Sequence, residues 1–591
     1  MNWNTLDLSL DGLRQHYQRG DFSPPQLCRH LLDKCGSYRH KHIWIHLLDE
    51  GELAPYLNAL VGKGIDDLPL YGVPFAIKDN IDLSGIATTA ACPEFAYTPN
   101  EHAVVVARLI AAGAIPLGKT NLDQFATGLV GTRSPYGVCR NAYHDDYISG
   151  GSSSGSAVAV ALGLVSFSLG TDTAGSGRVP AAFNNLVGLK PSRGALSTRG
   201  MLPACRSLDC LSIFAAQAGD VLRVFDLCES YDAEDDYARR HRDTLWPGLA
   251  GAGDLRVAVP LRDQLRFFGN GDAAALYYYK LAVLERWGAE LIECDFSPFF
   301  EAAQLLYNGA WVAERYAAVA AFRQAHPGVM HPVVETIIAP AGQIGAVQAF
   351  EGEYRMQELR RRAGAIFNRA DVALTPTAGT IYRVADVLAE PLSLNSNLGY
   401  YTNFMNLLDM AAVAVPAGFL PSKLPWGVTL FAPAGADRAL LALANRMQTG
   451  VAKGVPDSRD WIEVAVCGAH LTGQPLNPQL RRRRARLVVQ TTTSADYRLY
   501  ALPGGPPAKP GLCRVVSGGS AIAVEIWSLP LEEFGSFVAD IPPPLGIGKL
   551  ELADGRWVSG FICEPCGLDN AEDISGCGGW LAYLRRQASA T

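Results

Sequence analysis

Short apolar runs and longer amphipathic segments alternate along most of the chain. The apolar runs have the length of strands and recur at residues 73–77, 114–117, 255–259 and 372–374. The segments between them show the spacing of helices that bury one face. Alternation of this kind is typical of α/β domains, in which helices cover a sheet. We therefore predict an α/β fold for the larger, N-terminal part of the chain.

The two ends of the chain depart from this alternation. Near the N-terminus, leucines at helical spacing predict helices up to about residue 60; they are Leu6, Leu10, Leu13, Leu27, Leu31 and Leu32. The composition shifts near residue 452, and the segment 453–460 has the character of a linker. Beyond it Pro and Gly are frequent and the β-like runs are short, as at 521–527. We predict a first domain at 1–452 and a smaller α+β domain at 461–591.

The composition limits the class of protein. With 591 residues, of which 49% are hydrophobic, the chain is long enough for more than one domain and a large core. A net charge of −7 gives no electrostatic case for a nucleic-acid surface. The basic run 481–486 is a local exception. We interpret it as the solvated edge of a strand at 487–489 rather than as an anion-binding patch.

Targeting and metal-binding patterns are weak in this sequence. The N-terminus lacks a charged-then-apolar signal pattern, and no apolar run reaches about 18–20 residues, so we expect a soluble, cytoplasmic protein. Thirteen cysteines scattered along the chain suit reduced thiols rather than disulfides. Cys563 and Cys566 have the spacing of a metal knuckle, but no second pair accompanies them. We therefore expect neither a metal nor a cofactor.

Two glycine-flanked serine clusters and one lysine are the candidates for chemistry. Ser152 lies in the run 150–156, Ser176 lies in the run 170–178, and Lys78 lies where an apolar run ends. A serine hydroxyl becomes nucleophilic when a base takes its proton, and small neighbours leave backbone N–H groups free to bind an oxyanion. Flexible linkers share this composition, but both clusters here lead into strongly apolar sequence. The pattern indicates amide hydrolysis.

Two shorter motif matches have the wrong surroundings. Residues 151–155 fit the G-x-S-x-G nucleophile elbow around Ser153, which needs a preceding strand, whereas residues 143–149 are polar. Residues 113–120 fit every fixed position of a Walker A loop. Their interior nevertheless predicts a strand, and residues 104–112 before them have helical spacing. We predict neither an α/β-hydrolase elbow nor a nucleotide site.

Four segments resemble the amidase signature family and follow one another in the order of that family. They are Pro74–Asp79, Leu117–Asn121, Gly150–Ser156 and Gly188–Ser192. The resemblance implies a mixed β-sheet core covered by helices on both faces. It also implies a catalytic triad: Ser176 as nucleophile, Ser152 as a proton bridge that follows a cis peptide bond, and Lys78 as the base.

The same resemblance implies roles for the loop around the nucleophile. The N–H groups of Thr173, Ala174 and Gly175 would form the oxyanion hole, and Asp172 and Arg178 would pair behind the loop. Most members of the family have glycine where this chain has Ala174. Its methyl group would narrow the site and suit a small substrate.

The proton balance explains how a lysine serves as the base. Free lysine titrates near a pKa of about 10.4 and is a cation at neutral pH. Burial disfavours the cation, so a buried Lys78 would be neutral and would accept the Ser176 proton through Ser152. The same relay would later return the proton to the leaving nitrogen.

Tyr307 and Arg315 are the candidate substrate-binding residues. They lie eight positions apart in a predicted helix, so both side chains would project from the same half of its surface. A buried arginine would clamp a carboxylate there, and the tyrosine hydroxyl would fix its orientation. Taken alone, however, these residues fit a core-packing helix with a snorkelling arginine better.

A finer resemblance favours the carboxylate clamp. The segments 173–180 and 401–409, together with the extra C-terminal region, are similar to the allophanate hydrolases of that family, in which the equivalent Tyr and Arg hold the substrate carboxylate. Segments 401–409 and 412–418 are also similar to the family's closing helix and strand. The resemblance implies hydrolysis of allophanate, a urea that carries a carboxylate, to ammonia and N-carboxycarbamate.

The C-terminal region resembles the allophanate hydrolase C-terminal domain, which is similar to the γ-glutamyl cyclotransferase-like barrel. The run 466–477 shows the resemblance, with a strand and then a glycine-rich turn. His470 matches the histidine tied to decarboxylation of N-carboxycarbamate, although a lone histidine at a strand end is as often a turn residue. Both steps together would give ammonia and carbon dioxide. A urea carboxylase or a triazine-breakdown route would supply the allophanate.

Three other functions compete with this one. A glutamyl-tRNA amidotransferase of the A type would share the triad but lacks such a C-terminal region. A broad-specificity small-amide amidase would not need Arg315. A non-enzymatic scaffold would not need intact Lys78, Ser152 and Ser176. As partners we expect a small-molecule substrate and a second copy in a homodimer, with no nucleic acid and no membrane.

Overall fold

The computed structural model describes residue 3 and residues 6–240, 255–449, 461–483 and 485–588. The chain divides into two compact units, Met1–Lys453 and Gly454–Thr591. The predicted linker 453–460 lies outside the described residues, as does Arg484 of the basic run. The domain boundaries at 452 and 461 therefore stay predictions.

The first unit is built on one mixed sheet. Its strands are β1 (Trp44–Leu47), β2 (Pro74–Lys78), β3 (Ile115–Thr120), β4 (Phe167–Asp172), β5 (Val187–Lys190), β6 (Cys210–Ala215), β7 (Arg256–Pro260), β8 (Glu290–Cys294), β9 (Val372–Pro376), β10 (Met410–Phe419) and β11 (Pro425–Pro433). In the described residues their order across the sheet is β1-β3-β2-β4-β6-β5-β10-β11-β9-β7-β8. Parallel pairs at β3-β2-β4 and at β9-β7-β8 flank an antiparallel middle.

Helices connect the strands of the first unit and pack on the sheet. They are α1 (Leu10–Arg19), α2 (Pro24–Ser37), α3 (Glu50–Asn58), α4 (Val104–Ala111), α5 (Ser154–Ala161), α6 (Val179–Phe183), α7 (Ala218–Cys228), α8 (Gly271–Arg286), α9 (Ser297–Asn308), α10 (Trp311–Ala325), α11 (Pro332–Ile338), α12 (Ala346–Gly364), α13 (Val384–Ala389), α14 (Ser393–Leu398), α15 (Phe404–Leu407) and α16 (Asp437–Thr449). Within the described ranges no single helix is long and apolar enough to cross a membrane; the helical segments 332–343 and 346–368 pass only as a pair bent by 103°, on length and composition.

Strands β2, β3 and β4 form the part of the sheet that leads to the candidate site. β2 lies between the other two and is parallel to both, and every residue of the three strands is buried. A strand that is buried on both faces needs no alternation of apolar and polar residues. Because parallel strands end at the same edge of a sheet, Lys78 at the end of β2 and Asp172 at the end of β4 lie at one edge.

The second unit has two smaller sheets. Its strands are β12 (Trp461–Val466), β13 (Arg486–Thr492), β14 (Tyr497–Ala501), β15 (Pro510–Arg514), β16 (Ala523–Pro530), β17 (Leu545–Glu551), β18 (Trp557–Cys563) and β19 (Glu572–Asp573), and its helices are α17 (Asn477–Arg482), α18 (Leu531–Ala539) and α19 (Trp580–Ala588). As far as the structure describes this unit, the sheets have the orders β13-β16-β12-β18-β17 and β15-β14-β19. An apolar core that includes Trp527 and Phe537 lies among them.

The predicted fold class is confirmed, and so are most of the predicted elements. The four apolar runs correspond to β2, β3, β7 and β9, and the N-terminal leucines lie in or beside α1 and α2. The interior of the Walker A match is β3, as its composition predicted. The strand after the basic run is β13, an edge strand whose Val488 and Val489 are exposed.

The predicted closing helix at 401–409 is much shorter in the structure. Only Phe404–Leu407 is helical there. The flanking groups are used in other contacts, since the Thr402 carbonyl accepts a hydrogen bond from Arg178 and the Asn406 side chain donates to the Asp172 carbonyl. These contacts hold the segment against the serine loop instead of in a regular helix.

Candidate active site

Lys78 ends β2 in a fully buried position. Its Nζ donates hydrogen bonds to Ser152 Oγ at 2.8 Å and to Thr171 Oγ1 at 2.7 Å. In the described part of the chain no carboxylate forms an ion pair with it. Burial lowers the pKa of Lys78 from 10.5 to about 7, although more distant carboxylates oppose this shift. The amine is therefore available as a base near neutral pH.

Ser152 lies in a tightly packed turn that precedes α5. The peptide bond between Gly151 and Ser152 is cis, as the family resemblance implied. A Cβ atom at position 151 would approach Asp123 Oδ2 to 2.2 Å, so only glycine fits there. Asp123 in turn accepts hydrogen bonds from backbone N–H groups, among them that of Gly131 at 3.0 Å. These contacts fix the Ser152 side chain on Lys78.

The loop that follows β4 folds around the Asp172 carboxylate. This carboxylate accepts N–H hydrogen bonds from Gly175 at 2.8 Å and from Gly177 at 2.9 Å. Arg178 donates to both of its oxygens, each at 2.9 Å, and both side chains are fully buried. Burial alone would raise the pKa of Asp172, but the Arg178 guanidinium outweighs it and the pKa is lowered. Ser176 is held between the two anchored glycines.

The backbone N–H groups around Ser176 differ in what they contact. The N–H of Gly175 is already used by Asp172. Within the described residues, the N–H groups of Thr173, Ala174 and Ser176 donate to no acceptor. Of the predicted oxyanion-hole residues, Thr173 and Ala174 thus have free donors and Gly175 does not. Gly175 instead gives the loop its shape, because its φ is +135° and a Cβ would approach Thr402 to 2.4 Å.

The structure joins part of the predicted triad. Lys78 and Ser152 are in hydrogen-bond contact, whereas the Ser176 hydroxyl makes no hydrogen bond with any described residue. Ser176 is 3% exposed, so its free hydroxyl lies in a nearly closed space. Catalytic hydrogen bonds are often completed only when substrate binds. The roles of the three residues stay predictions.

Tyr307 and Arg315 do not share one helix, and here the prediction from their spacing is wrong. Tyr307 lies in the last turn of α9, and Arg315 lies in α10 after a break at Gly309. A Cβ at Gly309 would approach Leu305 O to 2.6 Å, so glycine permits this break. The two side chains nevertheless meet, because Arg315 Cζ lies 5.4 Å from the centre of the Tyr307 ring.

Arg315 is a buried cation whose charge is not neutralised. It is 2% exposed, its Nε has no hydrogen-bond partner, and Nη1 donates only a long bond of 3.4 Å to Thr127 Oγ1. No carboxylate of the described residues forms an ion pair with it. A cavity of about 400 Å³ lies beside Tyr307, and Asn395 and Ala341 also line it. A buried guanidinium next to a cavity fits an anionic ligand.

The sequence analysis missed several residues that shape this site. Thr171 is the second partner of Lys78, and Asp123 holds the turn at Ser152. Asn406 joins the Asp172 carbonyl to that of Leu208. Thr171 lies within the same glycine-rich run as Ser176, so its position was a usable signal. Asp123 and Asn406 lie in unremarkable sequence that gave none.

His470 lies in the turn that follows β12 in the second unit. It is mostly buried, its Nε2 lies 3.0 Å from Gln479 Oε1, and its ring stacks on Phe561 at 4.9 Å. Burial lowers the pKa of His470 below its ordinary value. A cavity of about 140 Å³ adjoins it, with Lys509 and Asp540 among its lining residues. The turn thus presents a neutral imidazole to a small polar cavity.

Family models match both units of the chain. The amidase model matches residues 27–441, and the model of the allophanate hydrolase C-terminal domain matches residues 462–585. The chain belongs to the amidase family. The free serine, the Lys78–Ser152 contact and the anchored loop therefore belong to an amidase-type site.

Individual relatives agree with this membership. The urea amidolyase of Saccharomyces cerevisiae is 43% identical over 98% of this chain, and the match covers 33% of that protein. A glutamyl-tRNA(Gln) amidotransferase of the A type, from Symbiobacterium thermophilum, is 35% identical over 66% of this chain and 86% of that protein. The solved, selenomethionine-substituted allophanate hydrolase of Kluyveromyces lactis is 41% identical with a TM-score of 0.75, covering 98% of this chain and 100% of that one. The chain thus spans about a third of the length of the urea amidolyase.

We predict that amide hydrolysis weakens as the pH falls below about 7. Burial lowers the pKa of Lys78 to about 7, and only the neutral amine accepts a proton. Plots of kcat/KM between about pH 5.5 and 9 should rise through that pKa and then level off. Lys78→Arg keeps a charged side chain over this range and should show no rising limb. A wild-type profile that is flat through pH 7 would contradict the assignment of the base.

We also predict that Asp172→Asn destabilises the first unit. The substitution leaves the buried Arg178 without its counter-charge, which costs about 3–5 kcal/mol. The midpoint of thermal inactivation should therefore fall clearly below that of the wild type. Asp11→Asn is the control, since it breaks an exposed ion pair with Arg223 worth about 0–1 kcal/mol. Equal midpoints for the two variants would show that the buried pair does not hold the loop.

Proposed function

We propose that this chain is an allophanate hydrolase. Ser176 attacks the terminal amide carbonyl of allophanate, and its proton passes through Ser152 to Lys78. The C–N bond breaks, the relay returns the proton to the leaving nitrogen, and ammonia departs. Water then attacks the Ser176 ester and releases N-carboxycarbamate. The contact of Lys78 with Ser152 and the lowered pKa of Lys78 support this route.

The charge of Arg315 is the observation on which the substrate assignment rests. A guanidinium that is buried without a counter-ion is costly, and an anionic ligand relieves that cost. Allophanate has a carboxylate one nitrogen away from the carbonyl carbon that Ser176 would attack. A bidentate contact with Arg315 and a hydrogen bond from the Tyr307 hydroxyl would hold this carboxylate. The solved relative named allophanate hydrolase supports the same assignment.

The second unit would act on the first product. N-carboxycarbamate loses carbon dioxide once one of its carboxylates is protonated, and the resulting carbamate breaks down to ammonia and carbon dioxide. His470 lies at a small cavity with Lys509 and is suited to handling that proton. The match to the allophanate hydrolase C-terminal domain supports this role. Overall, one allophanate would give two molecules of ammonia and two of carbon dioxide.

The supply of allophanate and the assembly of the chain are further parts of the proposal. Carboxylation of urea is the chemistry that makes allophanate, and the relatives named urea amidolyase support a urea source. A triazine-breakdown route would deliver the same substrate. Cytoplasmic location and a homodimer stay predictions from the sequence.

Glutamine-dependent ammonia supply to a glutamyl-tRNA amidotransferase is the second candidate function. The relative of that name from Symbiobacterium thermophilum favours it. That match leaves the second unit without a role, and the C-terminal family model at residues 462–585 favours allophanate instead.

We predict that purified protein releases ammonia from allophanate and that Ser176→Ala lowers kcat by about 10⁴-fold or more. Arg315→Ala should lower kcat/KM for allophanate by about 10²-fold, because the carboxylate loses its buried partner. The same variant should hydrolyse an uncharged amide such as propionamide as well as the wild type does. Preference of the wild type for glutamine or for propionamide would overturn the substrate assignment and leave the amidase chemistry intact.

We predict that His470→Gln separates the two steps. Release of the first ammonia should keep its wild-type rate, because that step belongs to the first unit. Release of carbon dioxide should lag behind it, since the proton donor at the second cavity is lost. Stopped-flow detection of carbon dioxide beside a coupled ammonia assay measures both. Coincident release in the wild type and the variant would remove His470 from the mechanism.

A further inference from the structure

Asp209 is a buried carboxylate that the proposed mechanism does not use. It is 5% exposed and lies one residue before β6. Its Oδ1 accepts a hydrogen bond from the Thr173 hydroxyl. Its Oδ2 accepts the backbone N–H groups of Ala204 at 2.8 Å and Cys205 at 3.0 Å. One carboxylate thus ties the serine loop to the turn formed by residues 204–209.

The same turn is tied to the helix that contains Arg315. Glu314, in the first turn of α10, accepts hydrogen bonds from the Ser207 N–H at 2.6 Å and from the Ser207 hydroxyl at 2.7 Å. The Cys205 thiol also lies 3.1 Å from Glu314. Arg315 is the next residue along the chain. A continuous hydrogen-bonded path therefore runs from Thr173 through Asp209 and the turn to the base of the Arg315 side chain.

This path joins the two places where negative charge of the substrate would be bound. Thr173 has a free backbone N–H in the serine loop, and Arg315 has the uncompensated guanidinium. In allophanate a single nitrogen separates the attacked carbonyl carbon from the carboxylate carbon, so both charges must fit at a fixed spacing. A misplacement of about 1 Å in such a site costs about 10²-fold in rate.

The geometry points to Asp209 as a positioning residue that sets the spacing between the Thr173 N–H and Arg315, so that binding of the substrate carboxylate aligns the carbonyl with the oxyanion-binding donors. This inference rests on the proposed function, because it concerns a substrate with a carboxylate. Asp209 itself touches neither Ser152 nor Ser176 and transfers no proton. Burial raises the pKa of Asp209 to about 6, so it is an anion, and a good acceptor for three donors, at neutral pH.

Asp209→Asn tests the positioning role with little change of volume. The remaining oxygen can keep the two backbone donors, and the new amide group then faces the Thr173 hydroxyl. We expect kcat for allophanate to fall by about 10–10²-fold, with KM changed by less than about threefold because Arg315 still binds the carboxylate. Hydrolysis of propionamide, which has no carboxylate to align, should fall by less than about threefold.

Variants at Thr173 show whether the effect passes through its hydroxyl. Thr173→Val removes the hydroxyl and keeps the backbone N–H, and it should lose as much kcat as Asp209→Asn. The double variant should be no slower than either single one, because both break the same link. Thr173→Ser keeps the hydroxyl and should stay close to the wild type. Additive losses in the double variant would overturn the inference.

Asp220→Asn is the matched control. Asp220 is equally buried, burial raises its pKa to about 6 as well, and it lies in α7, where it contacts the N-terminal helix through Leu10. Its substitution should leave kcat on allophanate unchanged. Equal losses on allophanate and propionamide in Asp209→Asn, or a loss in KM alone, would contradict positioning. A wild type that ignores allophanate would instead refute the proposed function, and the kcat comparison on propionamide would still test whether Asp209 affects the loop.

Discussion

The burial of Lys78 is the constraint on which the chemistry of this site depends. An amine in water is a cation at neutral pH and accepts no proton. At the end of β2 the amine has two hydroxyl partners, Ser152 and Thr171, and no ion-paired carboxylate among the described residues. A hydroxyl donates to a neutral amine as readily as it accepts from an ammonium. The surroundings of Lys78 therefore allow both protonation states, as a base requires.

Two other buried charges lie close to Lys78 and are treated in opposite ways. The Asp172 carboxylate is fully used, because Arg178 and two backbone N–H groups occupy both of its oxygens. It shapes the serine loop and has no capacity left for the lysine. The Arg315 guanidinium has one long hydrogen bond and no carboxylate partner in the described part of the chain. The protein thus neutralises the charge that builds the loop and leaves uncompensated the charge that would bind substrate.

The sequence predicted the parts of this structure that depend on local pattern. The runs that became β2, β3, β7 and β9 are buried strands, and burial on both faces is visible in the sequence as an uninterrupted apolar run. Lys78, Ser152 and Ser176 were identified because small residues surround the serines and an apolar run ends at the lysine.

Features that depend on distant contacts could not be predicted in the same way. The break at Gly309 is one case, since a single glycine is compatible with a continuous helix, and only tertiary packing decides. The use of the Gly175 N–H by Asp172 is another, because it follows from how the loop closes. The links from Asp209 to Thr173 and from Glu314 to Ser207 join positions that no motif connects.

Binding of a stable dicarboxylate to inactive protein tests the central claim most directly. Malonate has a methylene group in place of the nitrogen of N-carboxycarbamate and contains no bond that Ser176 could cleave. Calorimetric titration of malonate into Ser176→Ala, and into the same variant with Arg315→Ala added, isolates the contribution of Arg315. The account predicts one site per first unit in the single variant and at least about tenfold weaker binding in the double variant. Equal affinity in the two proteins would contradict the claim that Arg315 binds the substrate carboxylate.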